Sequence, residues 1–307
     1  MAALAPVPAS TLPAAVQRIA AAMDGFSVEA TRPSAADIAA LAAELPRRAR
    51  VYLSAVPNRP ADELMAAAIA VRAAGFEPVP HVAVRNFASA GALDDFLARL
   101  NGEAEVQRVL VIAGDRVEHG PFRSAREAID SGVLRRRGIR TIGIAGYPEG
   151  HPRIGTDELD RALSEKIAAA EATGLSVEIV TQFCFTAPPI LDFVARLRAF
   201  GFDHPVRIGL AGPTSLTALM RYAARCGVRA SAQAMVQRAG LVRQMFALTA
   251  PDDLVRTLAE AAPGAVTLHF FSFGGVPATA RWARAVAEGR IELEGIGFRV
   301  APPRQDG

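Results

Sequence analysis

Three side chains able to do chemistry, Tyr147, Glu149 and His151, follow a short apolar run that ends at Gly146. A phenol, a carboxylate and an imidazole can each exchange a proton or bind a polar ligand. The parallel strands of α/β enzymes deliver such groups at their C-terminal ends. The stretch therefore predicts a binding or catalytic site at the end of a strand.

The same arrangement recurs along the chain, because polar residues end most of the other apolar runs. These residues are Glu29, Ser54, His81, Asp115, Gln182 and His269. A barrel or sheet built only for packing has no need of polar groups at these places. The recurrence therefore favours an enzyme.

Glu29 is the leading candidate for proton transfer. It lies in the short apolar run 26–30, where an unpaired carboxylate is costly to ionise, so we expect its pKa to be raised. A carboxyl group of that kind is suited to general-acid work near neutral pH. The alternative is a structural carboxylate that is bonded to Arg32 or to a helix terminus.

The other candidates have structural alternatives of their own. Asp115 could cap a helix or a turn, His81 could be a core histidine, and Gln182 could bond to backbone. Phe271 belongs to a group of phenylalanines that either line a pocket for a flat ring or fill the core.

Eight apolar runs alternate with longer helical patterns and predict the elements that position these residues. The predicted strands are 26–30, 50–55, 77–84, 108–114, 140–146, 176–183, 206–211 and 265–271. Nearly continuous apolar runs are typical of parallel strands that are covered on both faces. Eight such repeats predict a single (β/α)8 TIM barrel of the α/β class. An open doubly wound sheet is the alternative, but its G-x-G-x-x-G fingerprint is absent.

Two additions to the barrel are predicted. One is an N-terminal extension with an amphipathic helix at 14–23, and the other is a pair of extra helices before strand eight, at 232–248 and 251–262. The resulting division is an extension at 1–24, a catalytic barrel at 25–298 and a flexible, Pro-rich tail at 299–307.

Composition narrows the class of partner. The 307 residues include 34 basic and 31 acidic side chains, for a net charge of +3. This interleaved balance argues against nucleic acid as a partner. Two distant cysteines suit a reducing cytoplasm and give no metal signature. No signal peptide or membrane span is evident, so we expect a cytoplasmic protein that acts on a small molecule without a metal ion.

Four motifs resemble those of the methylenetetrahydrofolate reductase family in order and spacing. They lie at residues 26–29, 111–115, 142–152 and 180–185. The Tyr-Pro-Glu-x-His-Pro and Thr-Gln-Phe-x-Phe motifs among them are fairly specific in combination. The resemblance extends over about residues 26–290 and implies a (β/α)8 barrel, which is the fold expected above.

The resemblance also implies roles for individual residues. Glu29 matches the general acid that protonates a folate ring nitrogen and opens the five-membered ring to an iminium. Asp115 matches an acidic residue near the flavin and the pterin, and Gln182 and Phe271 fall on the folate side. The positions that hold FAD are matched by Ser54, His81, Gly114, Asp115, Tyr147, His151 and Lys166.

The implied reaction is a relay of hydride in two stages. NADH or NADPH reduces the flavin, and the flavin reduces 5,10-methylenetetrahydrofolate to 5-methyltetrahydrofolate, or the sequence runs in reverse in the cell. The flavin carries the hydride chemistry, while the protein supplies a proton donor and an ionised carboxylate. Members of the family are commonly homo-oligomers, so the resemblance implies a homo-oligomer here as well.

Some positions depart from the family pattern and keep other hypotheses open. Ala113 stands where the family has an arginine, which motivates a flavin-independent folate reductase with direct hydride transfer from NADH. The strand-eight ending at 270–275 lacks the family arginine, which motivates a non-catalytic folate-binding protein. A TIM-barrel enzyme that acts on a phosphorylated substrate is a further alternative.

Overall fold

Eight parallel strands close into a barrel, as the sequence predicts. The computed structural model describes residues 12–57, 59–117, 120–226, 248–261 and 264–301. The barrel strands are β1 (Ser27–Ala30), β2 (Arg50–Leu53), β3 (Glu77–Ala83), β4 (Arg108–Ile112), β5 (Thr141–Gly146), β6 (Ser176–Cys184), β7 (Val206–Ala211) and β8 (Val266–Phe271). Each strand pairs in parallel with its neighbours in sequence, and β8 closes the ring on β1. The (β/α)8 prediction is confirmed.

Helices connect the strands and cover the outside of the barrel. They are α1 (Ala14–Ala22), α2 (Ala35–Glu44), α3 (Ala61–Ala73), α4 (Ala90–Ala104), α5 (Ala125–Asp130), α6 (Val133–Arg136), α7 (Thr156–Ala172), α8 (Ala187–Ala199), α9 (Leu216–Cys226), α10 (Asp252–Ala261) and α11 (Val276–Ala287). Of the two extra helices predicted before strand eight, one is found as α10, whereas 232–248 falls outside the described residues except for its last residue. None of the described helices combines the length and the apolar character that crossing a membrane requires.

A β-hairpin follows the last helix and was missed by the sequence analysis. Its strands are β9 (Ile291–Glu294) and β10 (Gly297–Val300), which pair antiparallel. The first three residues after Ile291 are exposed, so the run has little of the apolar character that marks a strand. Arg299 and Val300, which the sequence analysis assigned to the tail, belong to this hairpin. The hairpin packs on α10, where α1 also packs.

The base of the barrel interior holds a buried ionic cluster around Glu178. Tyr52 donates a hydrogen bond of 2.6 Å to Glu178 Oε1, and Arg207 Nε lies 3.1 Å from Oε2. Arg50 and Arg108 each approach Oε2 to 3.4 Å. Glu178 is 3% exposed and Arg207 4%. Three guanidinium groups thus surround one carboxylate, and burial together with Glu178 raises the pKa of Tyr52 well above its usual value.

An apolar layer separates this cluster from the mouth of the barrel. Tyr52, Val79, Leu110 and Val180 point inward from four strands and pack together. Neighbouring residues such as Val28 and Val51 face outward and join the core shared with the helices. This alternation places the next inward positions, Glu29 among them, at the C-terminal mouth.

Asp252, at the start of α10, is a partly buried carboxyl group that accepts a hydrogen bond of 2.9 Å from Trp282 Nε1. Burial raises its pKa to about 6, although the bond from Trp282 opposes the rise. The Asp252 carboxyl group has a pKa of about 3.9 in the unfolded chain and a higher one in the folded protein. At pH values between the two, the folded protein binds more protons than the unfolded chain. The stability that this group contributes is therefore greatest below about pH 4 and falls as the pH rises to about 6.

We predict that the free energy of unfolding of Asp252→Asn, relative to that of the parent, will rise between pH 4.5 and pH 7.5. Asparagine keeps the acceptor for Trp282 and carries no charge, so the gain should be about 1 kcal/mol for a partly exposed group. Urea unfolding at both pH values measures it, with Asp24→Asn at an exposed position as the control, because the charge of the neighbouring Asp253 itself contributes to the raised pKa of Asp252. A difference between Asp252→Asn and the parent that is the same at both pH values would contradict the prediction.

Candidate active site

The carboxylate of Glu29, at the mouth of the barrel, is held by side chains from three other strands or strand ends. Ser54, after β2, donates a hydrogen bond of 2.6 Å to Oε1. His269 Nε2 on β8 lies 3.3 Å from Oε2, and His81 Nε2 on β3 lies 3.4 Å from the same oxygen. Thr31 in turn bonds the Ser54 hydroxyl at 2.8 Å. The structure thus brings together three of the predicted site residues, Glu29, Ser54 and His81.

The expected raised pKa of Glu29 is wrong. Burial alone would raise it, but the charge of His81 and the polar contacts of both imidazoles, His269 and His81, outweigh burial and hold the pKa well below its usual range. The prediction failed because it assumed an unpaired carboxylate, whereas two imidazoles from distant parts of the chain converge on Glu29. At neutral pH Glu29 is therefore an ionised carboxylate that accepts hydrogen bonds from its neighbours.

His269 was noted in the sequence as a strand-end residue but not as a site residue. It is fully buried, and its Nδ1 lies 2.9 Å from Ser27 Oγ. Arg207 donates to the same hydroxyl at 3.2 Å. Ser27 and Glu29 are two positions apart on β1, so both side chains point inward. That spacing is the feature of the sequence that could have indicated a polar contact inside the barrel for His269.

A small cavity of about 90 Å³ adjoins the Glu29 cluster on the side of β2 and β3. Ser54, His81 and Asn86 line it. His81 Nε2 and Asn86 Oδ1 are buried there without a hydrogen bond. Gly114 is close by with φ of +91°, and a Cβ at that position would lie 3.1 Å from the Cβ of Ala83. Buried polar atoms without partners are uncommon, so this cavity fits a ligand with a polar edge.

The groups after β4 and β5 form a separate cluster. The rings of Tyr147 and His151 meet edge to face with centroids 5.4 Å apart. Burial and Arg153 lower the pKa of His151, while Asp115 opposes this effect. Asp115 is exposed and, within the part of the chain that the structure describes, has no hydrogen bond or ion pair. The charge of Asp115 thus acts on His151, and no described contact joins Asp115 to the Glu29 cluster.

Glu149, the third residue of the opening motif, contacts a cysteine. Burial raises the pKa of the Cys184 thiol well above its usual value, and Glu149 contributes through its charge and a hydrogen bond. A carboxylate that bonds a buried thiol is consistent with a structural role. The described residues hold no group of His, Cys, Asp or Glu side chains suited to a metal ion.

Lys166 lies on α7 and is the single lysine among the 34 basic residues of the chain. Burial lowers its pKa to about 8. Among the described residues it has neither an ion pair nor a hydrogen bond. A largely buried ammonium group without a counter-ion is suited to binding an anion.

An aromatic wall borders the other side of the mouth. Phe183 on β6 contacts Phe271 at 5.5 Å and Phe273 at 4.9 Å between ring centroids. Phe271 stacks on Phe273 at 5.5 Å, and Tyr222 stacks on the same ring at 4.0 Å. Phe271 also meets His269 at 4.9 Å. The wall therefore begins next to the Glu29 cluster and offers faces to a flat ring.

Gln182 lies in a bulge of β6. The pairing of β6 with β7 shifts register between Val180 and Phe183, which places Phe183 in the aromatic wall. Thr181 stabilises the bulge, because its hydroxyl accepts a 2.8 Å bond from the Gly209 amide. The bulge needs a glycine opposite, since a Cβ on Gly209 would lie 2.5 Å from the carbonyl oxygen of Thr181. Gln182 itself is half-buried.

We predict that Gly209→Ala will destabilise the protein by about 1–3 kcal/mol, because the new methyl group overlaps the bulge. Gly102→Ala in α4 is the matched control. A Cβ there meets no atom within 4 Å, so the substitution should stabilise the protein by about 0.5–1 kcal/mol. Urea unfolding measures both variants. An unchanged midpoint for Gly209→Ala would show that the bulge tolerates a side chain.

Together, the closed barrel, the titratable cluster, the polar cavity and the aromatic wall define a (β/α)8-barrel protein with a candidate ligand site at its C-terminal mouth. The family model described as methylenetetrahydrofolate reductase matches residues 39–272. The chain belongs to the methylenetetrahydrofolate reductase family. The matched region begins after Glu29, so the family model says nothing about that residue. A role for Glu29 must be argued from its contacts with Ser54, His81 and His269.

A named relative and two solved structures give further comparisons. The 5,10-methylenetetrahydrofolate reductase of Pectobacterium carotovorum subsp. carotovorum is 26% identical over 204 residues, which are 64% of this chain and 65% of that protein. A dihydropteroate synthase from Thermus thermophilus has a TM-score of 0.48 and 18% identity over 86% of this chain and 91% of its own. A D-hydantoinase has a TM-score of 0.36 and 9% identity over 56% of this chain and 41% of its own. The two structures are too distant to support an argument about function.

Proposed function

We propose that this chain is an oxidoreductase that reduces 5,10-methylenetetrahydrofolate to 5-methyltetrahydrofolate, with a flavin as the hydride carrier and NADH or NADPH as the hydride source. Family membership supports the reaction class. The observation that carries the proposal is the position of Glu29, between the polar cavity on one side and the aromatic wall on the other. Two flat molecules can meet over this carboxylate.

The residues on the cavity side fit a flavin. Asn86 Oδ1 is buried in this cavity without a hydrogen bond, and His81 Nε2, which contacts Glu29 at 3.4 Å, lies beside it, so both can meet the edge of a ring. Lys166 on α7, whose pKa burial lowers to about 8, is proposed to bind a phosphate. The residues proposed to hold FAD are Ser54, His81, Gly114, Asp115, Tyr147, His151 and Lys166. When bound, the flavin accepts a hydride from the nicotinamide and passes it to the methylene carbon of the folate.

The aromatic wall is proposed to hold the folate. Phe271 would contact the pterin face, and Gln182 offers a donor and an acceptor for a heterocycle edge. The wall reaches His269, so a pterin stacked on Phe271 would lie against the Glu29 cluster. Asp115, exposed near the mouth, is proposed as a second acidic group close to the pterin.

Reduction requires that the five-membered ring of the substrate opens first. A proton must reach the leaving ring nitrogen, and the resulting iminium is a cation. The Glu29 cluster offers groups for both needs, since carboxyl and imidazole side chains can transfer a proton and an ionised carboxylate stabilises a positive charge nearby. The proton forms the new N–H bond while the C–N bond breaks and its electron pair stays on that nitrogen.

A flavin-independent reductase is the second candidate. The cavity beside Glu29 encloses about 90 Å³, whereas ligand pockets usually span about 300–1,000 Å³. A three-ring isoalloxazine would need this cavity to open, which favours direct transfer from NADH. Homo-oligomeric assembly and a cytoplasmic location are part of the leading proposal, and gel filtration tests the first.

A visible spectrum of the purified protein, before and after NADH, tests the proposal. We expect flavin absorbance that bleaches with NADH or NADPH and returns when 5,10-methylenetetrahydrofolate is added. A colourless protein that still oxidises NADH with the folate would establish the flavin-independent candidate. A protein that binds the folate without any NADH oxidation would be a folate-binding protein.

We predict that amine acylation of the native protein will modify Lys166 with a rate midpoint near pH 8, because its pKa is lowered to about 8 by burial. FAD should slow the reaction, since a phosphate beside the ammonium group stabilises the unreactive charged form. Peptide mass spectrometry identifies Lys166, which is the single lysine of the chain, and the same reaction without FAD is the control. An equal rate at Lys166 with and without FAD would place the phosphates elsewhere.

A further inference from the structure

A second cavity lies at the base of the barrel, at the end opposite the Glu29 cluster. It encloses about 1190 Å³, whereas the cavity at the mouth encloses about 90 Å³. The N-terminal ends of the barrel strands and the last turns of α1, α2 and α11 line it. Six arginines and five carboxylates are among the lining residues, so the lining carries a net positive charge. A cavity of this size accommodates a small molecule.

The innermost part of this base cavity holds three arginines and two carboxylates. Glu77 lies 3.2 Å from Arg50 and 3.0 Å from Arg108. Glu178 lies 3.4 Å from each of these arginines and 3.1 Å from Arg207. Three cations therefore share two anions in a place that is largely removed from water. A buried positive charge without a counter-charge is costly, and an anion from outside would offset that cost.

The same three guanidinium groups also have hydrogen-bond donors to spare. Arg50, Arg108 and Arg207 each use Nε and Nη1 for their contacts, and no described residue accepts a hydrogen bond from any of their Nη2 atoms. These Nη2 atoms are not among the fully buried polar atoms that lack a partner, so they are open to the cavity that the three side chains line. Each Nη2 carries two hydrogens.

We propose that the base cavity is a binding site for a phosphate group, either free or at the end of a small metabolite, held by the Nη2 groups of Arg50, Arg108 and Arg207. Guanidinium groups bind phosphate through paired N–H bonds. Donors from three strands, β2, β4 and β7, suit an anion with at least three oxygens, whereas a carboxylate offers two. Arg47 and Arg48 are exposed residues of the same lining and would attract an anion. This site is independent of the proposed reaction at the mouth.

Calorimetric titration with inorganic phosphate at constant ionic strength tests the site. Arg108→Lys keeps the positive charge beside Glu77 but has no Nη2, so it should weaken phosphate binding by about 10-fold. Arg126→Lys is the matched control, because Arg126 pairs with Asp130 and Glu165 on the surface. It should bind phosphate as the parent does. No binding to the parent, or an equal change of affinity in both variants, would overturn the proposal.

Arginine modification of the parent protein gives a second test that requires no variant. Phenylglyoxal modifies accessible guanidinium groups, and the Arg50 side chain is 28% exposed. Inorganic phosphate should slow the modification of Arg50 and leave that of Arg126 unchanged, as measured by peptide mass spectrometry. Equal rates at Arg50 with and without phosphate would overturn the proposal. Equal protection by acetate at the same ionic strength would assign the cavity to a carboxylate and overturn the choice of phosphate.

Discussion

Glu29→Gln will lower the rate of the proposed folate reduction by about 10²–10⁴-fold and leave the proposed oxidation of NADH by flavin nearly unchanged. The amide carries no charge, so it does not stabilise the iminium of the proposed reaction. It also replaces an acceptor with a donor opposite Ser54 or His269, because Glu29 accepts from both. Stopped-flow spectra of the two half-reactions measure each step.

Glu292→Gln is the matched control, because that carboxylate is exposed on the hairpin and pairs with Arg299. It should leave both half-reactions unchanged. An equal fall of both half-reactions in Glu29→Gln would assign Glu29 a role in flavin binding or folding. Full activity in Glu29→Gln would place the reaction centre elsewhere in the mouth.

Glu178→Gln will destabilise the protein by about 3–5 kcal/mol, the cost of removing one partner from a buried ionic cluster. The substitution is nearly isosteric, but it leaves Arg207 buried without its carboxylate partner, whereas Arg50 and Arg108 keep Glu77 at 3.2 and 3.0 Å. At about 2 °C per kcal/mol for a chain of this size, the melting temperature should fall by roughly 8 °C. Urea and thermal unfolding measure the loss.

The control for Glu178 is an ion pair of similar chemistry on the surface. Glu165 lies 2.9 Å from Arg126, and both are about half exposed, so Glu165→Gln should cost less than about 1 kcal/mol. If Glu178→Gln and Glu165→Gln lower the free energy of unfolding by similar amounts, the buried cluster is not a main source of stability. A gain in Glu178→Gln would show that the cost of removing the carboxylate from water exceeds its attraction to the three arginines.

The barrel was predictable because its strands are nearly continuous apolar runs, and β7 was found within the bounds expected. The hairpin was not, because three of the four residues in β9 are exposed and the run carries no apolar pattern. The ionic cluster was also missed. Glu178 and Arg207 look like ordinary polar residues near strand starts, and nothing local shows that they share an interior.

The site was predictable as a set of positions but not in its electrostatics. Glu29, Ser54 and His81 end neighbouring strands, so parallel order places them together. The sign of the Glu29 pKa shift depends on His269, which is 240 residues away and reaches Glu29 only because β8 pairs with β1. Burial can be inferred from a run of apolar residues, whereas a distant counter-charge cannot.

Because β8 pairs with β1, the barrel and the Glu29 cluster can be completed only late in synthesis, which proceeds from the N-terminus. Glu29, Ser54 and His81 leave the ribosome early, but the strand that brings His269 is Val266–Phe271. Until that strand is added, the carboxylate lacks one of its two imidazoles and β1 has an open edge. A nascent or truncated chain that stops before this strand would therefore expose a sheet edge and lack one imidazole of the Glu29 cluster, so one strand completes both the barrel and the candidate site.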